Sequence, residues 1–89
     1  MTNEQINKIV IDELNNINLG ENIRIEPHPH RNSIRYTTRI GHERKGINGK
    51  KILEYSHPHI YFIVYGLQSE KRIREIVQKH FEKYSFLTK

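Results

Sequence analysis

Eighty-nine residues make one small domain, residues 1–89, with room for a single modest core and no second lobe. At 35% hydrophobic and 28% charged residues the chain is polar but well patterned, and with no cysteine it excludes disulfides and thiolate metal ligands. The net charge of +5 is uneven: residues 1–22 carry one Lys against four acids, residues 23–65 eight Lys/Arg against three Glu, and residues 66–89 six against three.

That asymmetry favours an anionic partner, nucleic acid first. The longest apolar run, "IYFIVY", is far too short to span a membrane, and the N-terminus carries no signal-peptide pattern. The expectation is a soluble cytoplasmic protein that does not engage membranes.

"TNEQINKIVIDELNNINLG" predicts a helix. Ile6, Ile9, Val10, Leu14 and Ile17 recur at helical steps and form one apolar stripe, with the acids largely off it. Thr2 and Gln5 have capping-box spacing, and Gly20 stands where a C-terminal cap is expected. Beyond Gly20 the period changes to two. "NIRIEPHPH" predicts a short strand that Pro27 and Pro29 confine to an edge or terminate. In "NSIRYTTRIG", Ile34, Tyr36, Thr38 and Ile40 share one side and Arg35, Thr37 and Arg39 the other, the pattern of a half-buried antiparallel strand. "GHERKGINGKK" predicts a turn-rich basic loop, "KILEY" a short strand and "HIYFIVY" a longer one closed by Gly66. "SEKRIREIVQKHFEKYSF" predicts a helix capped by Ser69, with Ile73, Ile76, Val77, His80, Phe81 and Tyr84 on one face.

The order α-β-β-β-(β)-α implies a two-layer α+β domain. An N-terminal and a C-terminal helix would cover one face of an antiparallel sheet of three or four strands, leaving the other face open. Parity assigns that face. Ile60, Phe62 and Val64 turn to the helices, whereas His57, His59, Tyr61, Ile63 and Tyr65 turn outward; Arg24, Glu26, His28 and His30, and then Arg35, Thr37 and Arg39, join them. Tyrosines that stack on bases and arginines that hold phosphates suit a nucleic-acid platform. His42, Arg44, Lys45, Lys50 and Lys51 would add a basic rim, and Arg72, Lys79 and Lys83 one flank of the last helix. Strand propensity and edge solubility also favour Thr, Arg and Tyr at exposed positions, whatever their role.

Two His-Pro-His triplets, His28/His30 and His57/His59, could bring four imidazoles together if their strands were neighbours. Structural zinc sites usually include Cys, no acid flanks the second triplet, and the central prolines disturb the geometry, so the expectation is no metal and no other cofactor. His80, on an apolar face, reads as a core histidine. The glycines of the basic loop lack phosphate-loop spacing, and Ser33, Ser56, Ser69 and Ser85 lack nucleophile-elbow surroundings, so a non-enzyme is expected.

The α-β-β-β-α order resembles that of double-stranded-RNA-binding domains. The lysine-rich start of that family's last helix is only partly echoed by "SEKRIR", and the acidic first helix departs from a family in which that helix contacts RNA. "HPHIYFIVY" resembles the His-hydrophobic-His strand of nucleases with a helix-borne tyrosine nucleophile, for which Tyr84 would be the counterpart; proline at the central position departs from it. Small, Asn- and Ile-rich single domains without an enzyme motif also resemble accessory proteins of phages and mobile elements, including inhibitors of host complexes. Two functions therefore compete: a small basic nucleic-acid-binding module, regulatory or accessory, and an inhibitor or adaptor that binds an acidic protein surface. A second copy covering the tyrosine face of the last strand is a third candidate partner.

Overall fold

Thr2 starts the first helix, α1 (Asn3–Asn15), through the expected capping box. Its hydroxyl accepts from the Gln5 N–H at 3.3 Å, and Gln5 Oε1 accepts from the Thr2 N–H at 2.9 Å. The helix ends sooner than the apolar stripe implies, at Asn16 rather than Gly20. Tertiary contact overrides the glycine signal. The Gly20 N–H donates to the Leu87 carbonyl at 2.8 Å, and the Lys89 N–H to that of Asn18 at 2.8 Å, so this segment meets the C-terminus instead of extending α1. The second helix, α2 (Glu70–Lys83), begins at Ser69, whose hydroxyl accepts from the Arg72 N–H at 3.1 Å. A 3₁₀ turn, Ser85–Leu87, follows it.

Between the helices, the computed structural model, which covers residues 1–89, holds four antiparallel strands: β1 (Ile23–His30), β2 (Ser33–Lys45), β3 (Lys51–Ser56) and β4 (Tyr61–Tyr65). The α-β-β-β-β-α order is the expected α+β architecture. Long β2 pairs with β1 along one edge and with β4 and then β3 along the other. β3 and β4 thus form one interrupted strand. At the interruption four residues, His57–Ile60, lie opposite only Thr38 and Arg39. The excess is even, so β3 and β4 keep the same sidedness. The predicted strand "HIYFIVY" therefore begins only at Tyr61, and strand parity does not extend to His57 or His59.

β1 runs through both prolines instead of stopping at them. Alternate residues of a strand send their N–H groups to the same edge, and the two-residue turn between His30 and Ser33 puts the even β1 positions in hydrogen-bonded pairs with β2. Pro27 and Pro29 thus place both missing donors on the free outer edge, where none is needed. The predicted basic loop is also mostly strand. β2 continues to Lys45, and only residues 46–50 turn, with Gly49 at φ +73°. Arg44 pairs with Glu54 at 2.8 Å and Lys51 with Glu43 at 4.0 Å, so alternating opposite charges support a two-stranded ribbon where composition reads as loop.

Both helices pack on the side of β2 that carries Ile34 and Tyr36. These join Phe62, Val64, Ile6, Val10, Ile73, Val77, Phe81 and Leu87 in one core, with Ile60 packed at its margin. Tyr36 stacks on Phe62 with centroids 5.0 Å apart and donates to Asn7 Oδ1 at 2.8 Å; burial pushes its phenol up to about 12. Along the α1–α2 seam Arg74 donates to Asp12 at 2.7 Å, Glu13 at 2.9 Å and Glu70 at 3.2 Å. Those three carboxylates hold the guanidinium well above its ordinary value. Glu13, buried at the seam, also accepts from Gln78 at 3.3 Å. No helix is long and apolar enough to cross a membrane.

Candidate nucleic-acid interface

The face of the sheet away from the helices is organised in rungs, each a set of residues directly opposite one another. From one end the rungs are His30, Ser33 and Tyr65; His28, Arg35 and Ile63; Glu26, Thr37 and Tyr61; then Arg24 with Arg39. Where β3 replaces β4 as partner the series continues as Gly41 with Tyr55, Glu43 with Leu53, and Lys45 with Lys51. Counted along β2, Tyr65, Tyr61 and Tyr55 stand opposite residues 33, 37 and 41, and arginines occupy the rungs at 35 and 39 between them. Aromatic and cationic rungs therefore alternate.

Side-chain contacts reinforce this order. The Arg35 guanidinium lies 6.0 Å from the Tyr61 ring centroid and that of Arg24 lies 5.3 Å from Tyr55. Tyr55 can lie low across the sheet because Gly41 opposite it has no side chain; a Cβ there would come within 3.1 Å of the tyrosine ring. His28 Nε2 and the Thr37 hydroxyl share a hydrogen bond of 2.9 Å. Tyr61 and Tyr65 are each 50% exposed, leaving ring surface for a ligand.

The face carries five cations, Arg24, Arg35, Arg39, Lys45 and Lys51, against two carboxylates. Each carboxylate already has a partner: Glu26 is held by Arg39 and Glu43 faces Lys51. Arg24, Arg35 and Lys45 make no ion pair within the protein, so their charge stays available to an anion.

Of the residues singled out from sequence, the structure brings Arg35, Arg39, Lys45, Lys51, Tyr61 and Tyr65 onto this face, with Lys50 at the ribbon turn beside it. It does not bring the others. Arg44 points to the opposite side of the ribbon, sharing a rung with Ile52, and is tied to Glu54. His59 sits in the strand break, outside the ladder. Arg72, Lys79 and Lys83 belong to α2, on the far side of the sheet; Arg72 faces Glu75 at 3.5 Å, and Lys83 lies over the Tyr84 ring at 5.4 Å. Tyr55 and Arg24 complete the alternation. The signal for Tyr55 is the odd-numbered spacing Lys51, Leu53, Tyr55, which is readable once β3 is registered against β2.

The two histidine triplets lie on opposite edges of β2, His28 and His30 on β1 and His57 and His59 in the break. They do not converge, and no three His, Asp or Glu side chains gather as a metal site. Tyr84 caps the end of α2 with its ring 5.0 Å from that of His80. No family model, curated protein or solved structure matches the chain.

Proposed function

We propose that the chain is a small nucleic-acid-binding module, regulatory or accessory and acting in the cytoplasm, that binds across the open face of its sheet. The observation that carries this reading is the alternation of tyrosine and arginine rungs on a face whose carboxylates are already paired while three cations are not. Arg24, Arg35 and Lys45 would neutralise phosphates, with Arg39 and Lys51 exchanging their carboxylate partners for them. Tyr61 and Tyr65 supply stacking surfaces. The role is one of binding, not catalysis.

Fluorescence anisotropy of labelled oligonucleotides across a salt series tests it. With about five phosphates neutralised, the slope of log K against log salt should be about −3.5 on a single strand and about −4.5 on a duplex. Absence of binding at low salt would remove the proposal.

A second reading draws on the exposed Ile47, Ile52 and Leu53 of the ribbon, an apolar tip suited to anchoring another protein with an acidic surface. Here the chain acts as an inhibitor or adaptor of a host complex, of the kind associated with phages and mobile elements. A pull-down with and without nuclease separates the two: partners lost with nuclease support the first reading, and a nuclease-resistant partner the second.

A further inference from the structure

We propose that the nucleic acid this face takes is single-stranded, laid lengthwise along β2 with bases stacked on Tyr65, Tyr61 and Tyr55 and phosphates held at the arginine rungs between them. The inference rests on the nucleic-acid reading above and narrows it to a substrate class.

Register gives the geometry. Successive tyrosines are four β2 residues apart, about 13 Å at the rise of a strand, and each arginine rung lies about half that distance from either neighbour. The rungs from Ser33 to Lys45 together span about 40 Å at the same rise. A strand following this path meets ring, cation, ring, cation, ring, and then, past the Glu43/Leu53 rung, the Lys45/Lys51 pair. The order alternates base and phosphate chemistry as a nucleic-acid strand does, and it runs along the chain direction of the sheet, not across it.

A duplex cannot use these features. Its bases are stacked on one another and offer only edges in the grooves. The tyrosines sit on β4 and β3 in a sheet backed by two helices, and Tyr65 and Tyr61 belong to the part that is three strands wide. Only the two-stranded ribbon beyond Gly41 is narrow enough for a major groove. Against a duplex the body of the sheet would touch phosphates alone, and Tyr61 and Tyr65, half exposed, would stack on nothing. Nor do the rings protrude as wedges: guanidinium groups lie over Tyr55 at 5.3 Å and Tyr61 at 6.0 Å, and a base that stacks there takes the place of the guanidinium, which turns to the phosphate. In a stacked strand rising about 3.4 Å per nucleotide, neighbouring tyrosines are about four nucleotides apart, so the whole path takes at most about a dozen nucleotides.

The test compares one mixed sequence as a single strand and as a blunt duplex, by anisotropy at fixed low salt, over lengths from about 4 to about 20 nucleotides. Single-strand affinity should exceed duplex affinity at least about tenfold and should stop rising with length at or below about a dozen nucleotides. Tyr61→Ala should weaken single-strand binding by about 5-fold to about 150-fold while Tyr61→Phe, which keeps the ring, binds as the wild type. Because the chain has no tryptophan, intrinsic emission reports on its tyrosines directly, and stacking should quench it in the wild type more than in Tyr61→Ala. Tyr61 is outside the core cluster, and a circular dichroism melt checks that the variant is folded.

Equal or tighter duplex binding, insensitive to Tyr61→Ala, would overturn the single-strand assignment and leave the nucleic-acid reading standing. Failure of both forms to bind would overturn both.

Discussion

His80 gives the fold a pH dependence whose sign follows from its surroundings. The residue is 9% exposed, with the rings of Phe62, Phe81 and Tyr84 at 4.8, 5.1 and 5.0 Å from its own, and its Nε2 has no hydrogen-bond partner. Burial, and then the charge of Lys83 one helical turn on, lowers its pKa below the ordinary histidine value. The folded state therefore holds His80 neutral at a pH where the unfolded chain binds a proton. Stability from this group is fully present above about pH 6.5 and is lost as pH falls toward the lowered folded value. One proton limits the slope to about 1.4 kcal/mol per pH unit, so the loss between pH 6.5 and pH 5 cannot exceed about 2 kcal/mol.

His80→Phe removes the titration and keeps an aromatic ring in the stack. Urea unfolding of both proteins from about pH 7.5 to about pH 5 measures the difference of slopes, in which the exposed histidines and the carboxylates cancel. A constant offset from the larger ring drops out as well. The two curves should run parallel above pH 6.5 and diverge below it, the wild type losing the additional stability. Curves that stay parallel down to pH 5 would show that the imidazole is accommodated as a cation, and the burial argument would fail.

Other consequences are independent of this one. Arg74→Met leaves Glu13 buried at the seam without its cation, so the urea midpoint should fall; adding Glu13→Gln should recover most of the loss, and no recovery would mean the carboxylate was never the problem. Replacing Pro27 and Pro29 with Val restores two outward N–H groups on a free edge, so sedimentation velocity should show more self-association than in the wild type, while β1 stays paired. If Arg24 and Arg35 each contact a phosphate, Arg24→Gln with Arg35→Gln should flatten the single-strand salt slope by about 1.4; an unchanged slope would exclude both contacts.

The parts of this fold legible in the sequence are those where one side of an element is dry. Ile34, Tyr36 and Thr38 on β2, and Phe62 and Val64 on β4, alternate cleanly because helices cover one side of the sheet. The caps at Thr2 and Ser69 are legible because they are local hydrogen bonds. β3 is not readable in this way. Ile52 and Leu53 are adjacent and both exposed, since the ribbon extends past the helices and both of its sides are wet, so no alternation marks which side Tyr55 takes. Whether a proline ends a strand depends on whether that strand is an edge, a tertiary fact that Pro27 and Pro29 do not announce. The exclusion of Arg72, Lys79 and Lys83 from the open face follows from the two-layer arrangement itself, because a helix that covers one side of a sheet puts its own cations behind that side.

The two His-Pro-His triplets acquire a common meaning from their positions. One lies along β1, where its Pro29 and the preceding Pro27 leave the missing donors on the outer edge; the other breaks the opposite edge and leaves free runs of six and five residues. A sheet that is otherwise a template for strand addition is thereby protected at both edges, by missing donors on one and by discontinuity on the other. Recognition by adding a strand to the sheet, which needs an uninterrupted row of edge N–H and C=O groups, is disfavoured on both sides. On the proposed reading a ligand is then recognised by side chains, and the long surface where cations outnumber carboxylates and rings stand exposed is the open face. His28 and His30 lie on that face beside Arg35 and Tyr65, so the first triplet has a part in the surface while the second shapes only its margin.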